Sequence, residues 1–394
     1  MVKRDFWIHR IQEQLQQRSV LWLSGVRRVG KTYLCKSIPD IEYFDCELPR
    51  IRREMEDPQG FLDGLKGRTV VLDEIHRLDN PSEILKIAAD HYPKTKVIAT
   101  GSSTLGASSK FKDTLTGRKT ELWLTPMISS DLEAFQKTDL THRFLRGGLP
   151  PFFLSAHIPE RDFVEWMEAY WAKDIQELFR LERRHSFLKF VELLLAQSGG
   201  IFEASKFSKP CEVSRATITN YLSILETTFI VNIIRPFSSH RPTEIVAAPK
   251  VYAFDTGFHC YYRGWHDLRR EDMGMLWEHY VMNELFGRLQ TRKLFYWRDK
   301  NNHEIDIILD VRGRDPIAIE CKWSAWDFDA KNLQIFRKWY PAGETFLVAA
   351  DVDRPFSRTV GNVTIKFIGL IDLINALQQN FYSGSGGSIE ALRN

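Results

Sequence analysis

The amino-acid sequence predicts an α/β protein built from more than one domain. Its 394 residues are sufficient for two or three domains of ordinary size. Between residues 18 and 135, apolar strand-like runs alternate with helical segments, which predicts a parallel sheet with helices on both faces. Further along, HEIDIILDVRGRDPIAIECKW (His303 to Trp323) is typical of two strands joined by a glycine-containing turn, which predicts a second sheet.

The composition argues against a membrane protein and against a disulfide-rich protein. Hydrophobic residues make up 43% and charged residues 27%, as in soluble globular proteins. No run of eighteen apolar residues is present, and the first twenty residues lack the apolar core of a signal peptide. The cysteines show no CxxC spacing, which favours reduced thiols. We therefore expect a cytoplasmic protein with no membrane partner. A net charge of +3 is too small to indicate nucleic acid by itself.

The segment SVLWLSGVRRVGKTYLCKSI places a glycine loop between an apolar strand and a helix. The loop matches G-x-x-x-x-G-K-T, the P-loop motif, whose backbone N–H groups surround phosphate oxygens at a helix N-terminus. Lys31 would reach the β- and γ-phosphates and Thr32 would hold Mg²⁺. The alternative is a surface turn with a stray lysine, which the flanking strand and helix disfavour. The predicted ATP-binding residues are Gly25, Val26, Arg27, Arg28, Val29, Gly30, Lys31, Thr32 and Tyr33.

A second apolar strand, Thr69 to Leu72, ends in Asp73 and Glu74. Many strands end in acids, but downstream of a P-loop this pair is typical of ATPases. We expect Asp73 to bind the Mg²⁺ shell and Glu74 to orient or deprotonate the attacking water.

Two further positions are candidates for contacts with the γ-phosphate. The strand TKVIATGSS ends in hydroxyl residues, and we predict that Ser102 senses the phosphate; an ordinary polar strand end is the alternative. Arg118 follows a glycine before the next strand and is a candidate arginine finger, acting in cis or on a neighbouring subunit. A surface arginine held in an ion pair is the alternative.

After a break at RGGLPP and a helical stretch, residues 198–254 are typical of helix, turn, helix, strand, loop and strand. Ser214 is a suitable N-cap for the second helix. This order predicts a winged helix, related to helix-turn-helix readers of DNA. Arg215, Thr217 and Asn220 on the helix and Arg241 in the wing are the predicted DNA-binding residues. Winged helices in ATPases also serve as lids or protein-contact modules, and a few arginines also form an ordinary solvated face.

The motifs taken in series resemble one prokaryotic family over nearly the whole chain. This is the group of AAA-type P-loop ATPases that carry a C-terminal restriction-endonuclease-like domain, close to the archaeal ATPase clade. The resemblance is carried by GVRRVGKT, VVLDEIHRL, ATGSSTL, LTGRKTELWLTPM, RGGLPP, KVYAFDTGF, LWEHYVMNEL, FYWRDKNNHEIDIIL and AIECKWS. The second arginine of GVRRVGKT stands where relatives often have glutamine, a difference that leaves phosphate binding intact.

The resemblance implies an α/β protein with a P-loop parallel-sheet ATPase domain, a winged-helix domain and a restriction-endonuclease-like (PD-(D/E)xK) α/β domain. The expected parts are an ATPase domain at 1–145, a helical linker or lid at 146–190, the winged helix at 191–250, the nuclease-like domain at 251–382 and a flexible tail at 383–394. The glycine- and serine-rich start of the tail is typical of a linker.

Charged residues interrupt the two predicted strands near the C-terminus. Asp306 lies on the first, and Glu320 and Lys322 lie two apart on the second and so face one side. With Glu278 from the preceding helix they match the restriction-endonuclease-like pattern. Carboxylates suit Mg²⁺, and a lysine beside them suits a scissile phosphate. Three interpretations of the cluster are therefore open. It cuts nucleic acid, it binds nucleic acid or metal without turnover, or it is a structural Glu–Lys pair.

We predict an ATPase that acts on DNA, including branched or structured DNA, with ATP and Mg²⁺ as cofactors. ATP hydrolysis would move the winged helix and the nuclease-like domain, and a homo-oligomeric ring is expected because AAA-type sites often lie between subunits. The predicted catalytic residues are Lys31, Glu74, Arg118, Glu320 and Lys322, and the predicted metal ligands are Thr32, Asp73, Glu278, Asp306 and Glu320. The main alternative is an ATP-dependent regulatory or defence switch with an inert nuclease-like scaffold that binds DNA or a protein.

Overall fold

The computed structural model describes residues 2–101, 109–157, 160–176, 179–238, 248–311 and 313–382. Two compact units are formed, and neither is a continuous stretch of chain. The first contains Met1–Leu188 and Thr219–Ile230, and the second contains Lys189–Ile218 and Val231–Asn394. Ser102, Arg241 and the tail at 383–394 lie outside the described residues, so the predictions made for them stay predictions.

The first unit is built around a parallel sheet, as the alternating pattern predicts. Its strands are β1 (Val20–Ser24), β2 (Ile41–Asp45), β3 (Thr69–Asp73), β4 (Lys96–Thr100) and β5 (Lys119–Trp123). Among the described residues they pair in the order β2-β3-β4-β1-β5, and every pairing is parallel. The carboxyl ends of β1, β3 and β4 therefore lie side by side, which is where ligands bind in such sheets.

Helices cover this sheet because its central strands are apolar on both faces. They are α1 (Asp5–Gln17), α2 (Lys31–Lys36), α3 (Pro49–Glu54), α4 (Pro58–Asp63), α5 (Pro81–His91) and α6 (Ser109–Leu115). Every residue of β1 is buried. Trp22 of this strand lies in the core, with its ring 4.9 Å from the ring of Phe111 on α6. Burial on both faces explains why β1 is a continuous apolar run and lacks polar alternation.

The first unit continues with shorter helices. These are α7 (Ser129–Ala134), α8 (Leu140–Arg146), α9 (Pro150–Phe153) and α10 (Glu160–Tyr170), followed by a π-helical turn at Trp171–Gln176. Buried aromatic residues on α10, at three- and four-residue spacing, form its apolar face: Phe163, Trp166 and Tyr170.

Two longer helices contribute residues to both units. They are α11 (Arg184–Ala196) and α13 (Arg215–Thr227), with the short α12 (Ala204–Ser208) between them. Ser214 caps α13 as predicted, because its Oγ accepts a hydrogen bond from the backbone N–H of Thr217 at 3.1 Å.

The second unit contains the larger sheet. Its strands are β6 (Gly200–Ile201), β7 (Val231–Pro236), β8 (Lys250–Ala253), β9 (Leu294–Arg298), β10 (Glu304–Leu309), β11 (Ile317–Lys322), β12 (Thr345–Ala349), β13 (Phe356–Val360) and β14 (Val363–Ile368). Within the described chain the order is β13-β14-β12-β11-β10-β9-β7-β8-β6. The pairs β7/β9, β11/β12 and β12/β14 are parallel and the others are antiparallel.

This sheet joins two parts of the sequence that lie about sixty residues apart. Strand β7, predicted as a strand of the winged helix, pairs with β9 through Arg235 opposite Phe295 and Pro236 opposite Tyr296. The predicted winged-helix strands therefore share one sheet with the strands that carry Asp306 and Glu320.

The helices that complete the second unit are α14 (Thr256–Tyr262), α15 (Arg270–Leu289), α16 (Lys331–Trp339) and α17 (Leu370–Tyr382). All five cysteines lie among the described residues, and each is a buried free thiol. Along the described chain, no helix combines the length and apolar character needed to cross a bilayer.

Candidate nucleotide site and acidic cluster

The loop between β1 and α2 has the backbone that the P-loop motif requires. Gly25 has φ +143° and Gly30 has φ +100°, a region that side chains with a Cβ rarely adopt. A Cβ on Gly25 would lie 2.4 Å from the carbonyl oxygen of Leu124. Glycine is therefore needed at Gly25 both for the φ angle and for the close approach of a neighbouring backbone.

Lys31, the first residue of α2, folds back over this loop. Its Nζ donates to the carbonyl oxygens of Gly25 at 2.9 Å and Val26 at 3.4 Å. Removal from solvent lowers the pKa of Lys31, while the negative charges of Glu74, Asp174 and Asp73 oppose that shift. The ammonium group thus lies at the loop, close to the carboxylates that follow β3.

Asp73, at the end of β3, is the centre of a hydroxyl network. Its Oδ2 accepts hydrogen bonds from Thr32 Oγ1 at 2.8 Å and from the Tyr43 hydroxyl at 2.5 Å. Its Oδ1 accepts from Thr100 Oγ1 at the tip of β4. The structure therefore brings the two predicted Mg²⁺ ligands of this site, Thr32 and Asp73, into direct contact.

Glu74 is held in an unusual conformation next to this network. Its φ of 53° lies in the left-handed region, which is uncommon for a residue with a side chain. Its backbone N–H donates to Thr100 Oγ1 at 3.2 Å, and its Oε2 lies 3.1 Å from His76 Nδ1. Burial opposes ionisation, but the hydrogen bond from His76 and the charge of Lys31 together lower the pKa of Glu74. Glu74 is therefore a fixed, ionised carboxylate.

Two ion pairs that the sequence motif does not reveal support the loop. Buried Arg4 donates to both oxygens of Asp131, at 2.8 and 2.7 Å, and through Nη1 to the carbonyl oxygen of Val29 at 3.1 Å. Arg27 Nε lies 2.8 Å from Asp174 Oδ2 on the π-helical turn. These partners are more than a hundred residues away in sequence, so no local signal identifies them.

A cavity of about 720 Å³ opens beside the loop. It lies within the first unit, and its size falls in the range of small-molecule sites, about 300–1,000 Å³. Of the predicted nucleotide-binding residues, those on its wall are Gly25, Val26, Arg27, Arg28, Gly30, Lys31, Thr32 and Tyr33. Val29 is buried, and Glu74 also lines the cavity.

Arg118 lies in an ion pair and does not line this cavity. Its Nε is 2.7 Å from Asp90 Oδ1, in the same unit. Ser102, the predicted phosphate sensor, lies outside the described residues. Thr100 lies two residues earlier and is the strand-tip hydroxyl whose contacts with Asp73 and Glu74 the structure describes.

The charged residues of the second sheet also come together. Asp306 lies on β10, and its Oδ2 accepts the backbone N–H of Cys321 at 2.8 Å. Strands β10 and β11 pair with Ile307 opposite Ile319, and one further step in that register places Asp306 opposite Glu320. Lys322 Nζ donates to Glu320 Oε1 at 2.8 Å. Three of the four predicted nuclease-like residues are thus neighbours on two strands.

Negative charge is crowded in this acidic cluster, which we define as Glu278, Asp306 and Glu320. Burial, followed by repulsion from Asp306, raises the pKa of both Glu278 and Glu320. Burial lowers the pKa of Lys322, but attraction to Asp306 and Glu320 outweighs it, so that pKa is raised. Glu320 Oε2 is buried and has no hydrogen-bond partner among the residues that the structure describes, so one oxygen of the cluster remains free to accept a ligand.

Strand β8 supplies two residues beside the acidic cluster that were not predicted from the sequence. Lys250 Nζ donates to Glu304 Oε1 and lies 3.8 Å from Glu278 Oε1, and the Tyr252 hydroxyl donates to Glu278 Oε1. Lys250 and Tyr252 are two apart on a strand, so they face one side. The alternation in KVYAF indicates that these two side chains share one face of a strand. No local feature of the sequence indicates that β8 belongs to the same sheet as Asp306 and Glu320.

The side chains of the cluster do not form a preorganised metal-binding site in this arrangement. Within the described part of the chain, no group of three or more His, Cys, Asp or Glu side chains is positioned to hold a metal ion. Glu278, Asp306 and Glu320 therefore stay predicted metal ligands.

The predicted DNA-binding residues of α13 lie on its solvent side. Arg215 and Asn220 are exposed, and Thr217 is half-buried with its Oγ1 2.8 Å from Ser214 Oγ. Their role in binding DNA stays a prediction.

Family models match three successive parts of the chain. Residues 17–132 match an AAA domain, residues 137–269 match a domain of unknown function, DUF8612, and residues 273–367 match another, DUF4143. The first match covers the P-loop, the Asp73–Glu74 pair and the parallel sheet. This part of the protein is therefore a P-loop ATPase-type domain of the AAA class.

Relatives are similar over most of the length. Uncharacterized proteins of Mycobacterium tuberculosis and Mycobacterium bovis are each 26% identical over 335 residues, which is 82% of this chain and 74% of theirs. Among solved structures, a Walker-type ATPase of Pyrococcus abyssi is similar with a TM-score of 0.45 and 16% identity, over 67% of this chain and 96% of that one.

Proposed function

We propose that the first unit binds ATP with Mg²⁺ and hydrolyses it. The observation that carries this proposal is the contact of Thr32 with Asp73. Thr32 and Lys31 line a cavity that is large enough for a nucleotide. A hydroxyl at the end of a P-loop and a carboxylate at the end of a strand of the same sheet are the hard oxygen ligands that Mg²⁺ takes when it is bound together with phosphates.

Each residue of the nucleotide site has a proposed role that follows from its position. Backbone N–H groups of the P-loop and the Nζ of Lys31 would bind phosphate oxygens, and Thr32 and Asp73 would hold the metal. Bound Mg²⁺ would neutralise charge on the transferred phosphate. Glu74 would orient the attacking water and accept its proton, because it is fixed by its backbone hydrogen bond and remains ionised beside Lys31 and His76.

Steady-state ATP hydrolysis by Lys31→Ala and Glu74→Gln tests this. We expect each to lose at least about 100-fold in rate, and Glu74→Gln to keep nucleotide affinity because it leaves the phosphate contacts intact. Lys66→Ala is a matched control, since Lys66 is an exposed residue paired with Asp63. Wild-type rates in Lys31→Ala would refute the proposal.

A second activity, Mg²⁺-dependent cleavage of DNA at the acidic cluster, is favoured by one specific observation. The unsatisfied Oε2 of Glu320 lies on the same side of the sheet as Lys322 and opposite Asp306. A cation would relieve the crowded charge of these carboxylates, and Lys322 would stabilise a scissile phosphate. ATP turnover would then move the nuclease-like and predicted winged-helix parts.

Cleavage assays on linear, single-stranded and branched DNA, with and without ATP, test this activity. Loss of cleavage in Glu320→Ala and Lys322→Ala would identify the acidic cluster as the nuclease site. A rate that ATP changes in the wild type but not in Lys31→Ala would identify the nuclease as ATP-modulated. ATP-dependent binding by the wild type without cleavage would favour the alternative, a regulatory or defence switch with an inert cluster that binds DNA or a protein.

Direct DNA contact by Arg215, Thr217, Asn220 and Arg241 is part of the proposal. Its support is the exposed polar face of α13 and the Ser214 cap that fixes its start. Phosphate contacts release counterions, so Arg215→Ala should weaken binding and lower the salt dependence of the affinity. A salt-independent affinity would favour a protein partner instead.

We also propose a cytoplasmic homo-oligomer, arranged as a ring, in which Arg118 completes the site of a neighbouring subunit. Mixing inactive Arg118→Ala with inactive Lys31→Ala protein tests it. In a mixed ring, the intact P-loop of one variant would receive Arg118 from the other, so hydrolysis should return. No recovery in mixed oligomers would refute action in trans.

A further inference from the structure

A depression of about 290 Å³ in the second unit has no assigned role. Strands β11 and β12 are parallel, with Lys322 opposite Ala349, so both end at one edge of the sheet. The segment after β11 carries Trp326, and the segment after β12 carries Arg354. The depression lies between these segments. Glu320 and Lys322 do not line it, but they lie on the last part of β11, at the same end of the sheet.

Trp326 is unusually exposed for its size. Its side chain is 92% exposed, yet its backbone is fixed by a network that begins on the β12 side. Asp351 accepts hydrogen bonds from Ser324 Oγ at 2.5 Å and from the Ala325 backbone N–H at 2.8 Å, and Ser324 Oγ accepts the Trp326 N–H at 3.3 Å. The chain is thus ordered at a position where the indole presents its faces to solvent.

Further aromatic rings line the depression. Phe356, which is 45% exposed, stacks on Phe367 with ring centroids 4.7 Å apart and planes at 11°. Phe328 meets Phe367 edge-on at 5.3 Å. Together with Trp326 these rings offer flat apolar surfaces to a planar ligand.

Two arginines border the same depression without a carboxylate partner among the described residues. Arg358 stacks its guanidinium over Phe367 at 5.2 Å, and Arg354 is exposed. One carboxylate of the wall, Asp351, is occupied by Ser324 and Ala325. Asp353 also borders the depression, and its negative charge would oppose the binding of an anion there.

We propose that this depression binds an unpaired base of a single-stranded nucleic acid, with Trp326 stacking on the base and Arg354 and Arg358 contacting adjacent phosphates. Exposed aromatic rings beside cationic side chains are the means by which single strands are bound without regard to sequence. Free guanidinium groups match phosphate geometry. The inference rests on the proposed action on nucleic acid. It specifies that the nucleic acid which reaches the acidic cluster is single-stranded.

Fluorescence anisotropy of a labelled single-stranded oligonucleotide tests the proposal. Full-length Glu320→Gln is the reference, so that binding is measured without cleavage. Adding Trp326→Ala should weaken binding about 5- to 150-fold, as expected for one lost stacking contact. Adding Arg354→Ala with Arg358→Ala should lower the salt slope by about 1.4.

Matched controls come from the same unit. Trp339 is another exposed tryptophan, 72% exposed, and Trp339→Ala should leave affinity within twofold of the reference. Asp353→Asn should bind as well as the reference or more tightly, since it removes a charge that repels phosphate. Unfolding temperatures of these variants should agree with that of the Glu320→Gln reference, because the side chains that are additionally substituted are exposed.

The outcomes separate this inference from the proposed function. Single-strand binding that is equal in the reference and in the Trp326→Ala variant would overturn the inference and leave action on DNA standing. An absence of any nucleic-acid binding by wild type would overturn both. A change of oligomeric state in Trp326→Ala with unchanged affinity would overturn it in favour of a protein interface.

Discussion

The P-loop site and the acidic cluster both place carboxylates close to a lysine beside a β-sheet, but they balance charge differently. The strands are parallel at the first site, whereas β10 and β11 are antiparallel at the second. In the first, Asp73 accepts hydrogen bonds from Thr32, Tyr43 and Thr100. In the second, the pKa of both Glu278 and Glu320 is raised by burial and by repulsion from Asp306, and within the described part of the chain Glu320 Oε2 lacks a hydrogen-bond partner.

This difference indicates what each site requires from a ligand. The first has its polar groups satisfied within the protein, so a nucleotide must exchange existing hydrogen bonds for its own. The second holds unfavourable charge that a cation would relieve, so its geometry and stability should respond directly to metal. Four measurements test this difference between the two sites.

The largest effect is expected for the buried ion pair behind the P-loop. Arg4→Met should lower the free energy of unfolding of the first unit by about 3–5 kcal/mol, because it leaves Asp131 charged and buried. The two side chains are only 3% and 1% exposed. Chemical denaturation measures the change, with the exposed Arg161→Met as control. A small loss would mean that the hydrogen bonds from Trp7 and from the backbone N–H of Ile128 are sufficient to stabilise the Asp131 carboxylate.

Next in size is the response to Mg²⁺ without nucleotide. At a concentration about 100 times the dissociation constant, Mg²⁺ should stabilise the second unit by about 2.7 kcal/mol. Glu320→Gln and Asp306→Asn should each abolish most of this gain, while Lys31→Ala should keep it. Thermal unfolding with and without EDTA measures it. Equal stabilisation in Glu320→Gln and wild type would remove the contrast between the sites.

A smaller effect is expected from Tyr252→Phe, which removes the hydroxyl that donates to Glu278. A hydrogen bond to a charged group contributes about 1.5 kcal/mol or somewhat more, so the second unit should lose that stability. Tyr262→Phe is the control, because no hydrogen bond of the Tyr262 hydroxyl occurs among the described residues. If the two variants unfold alike, Glu278 is held by Lys250 alone.

The smallest change concerns Arg118. Its ion pair with Asp90 is solvent-exposed, with side chains 34% and 31% accessible, and exposed pairs add little stability. Arg118→Ala should therefore unfold at the wild-type temperature, whatever it does to hydrolysis in an assembled ring. A clear loss of stability would assign Arg118 a structural role and weaken the arginine-finger proposal.

The arrangement of residues at the first site could be predicted from the sequence because its determinants are local. Gly25, Gly30, Lys31 and Thr32 fall within eight consecutive positions, and the parallel sheet follows from strands that alternate with helices. Arg4, Asp131 and Asp174 were not predicted, since ion pairs across more than a hundred residues leave no periodic signal.

The second site was predicted only in part, for a topological reason. Asp306, Glu320 and Lys322 lie on strands joined by a short turn, so their proximity was inferred. Lys250 and Tyr252 lie on β8, which joins the sheet only through β7 and its parallel pairing with β9. Parallel pairing across a long connection depends on tertiary packing, which a single sequence does not encode locally.

The path of the chain has a consequence for how this protein can be divided. Because Thr219–Ile230 belongs to the first unit while both flanking stretches belong to the second, no single cut separates them. A fragment that stops at Leu188 would lose Thr228, whose hydroxyl bonds the buried Tyr170 at 2.7 Å. Recombination at a single point between two homologous genes would combine parts of one unit from two different proteins, because each unit is made of separate stretches of chain. The two units are therefore expected to be inherited together.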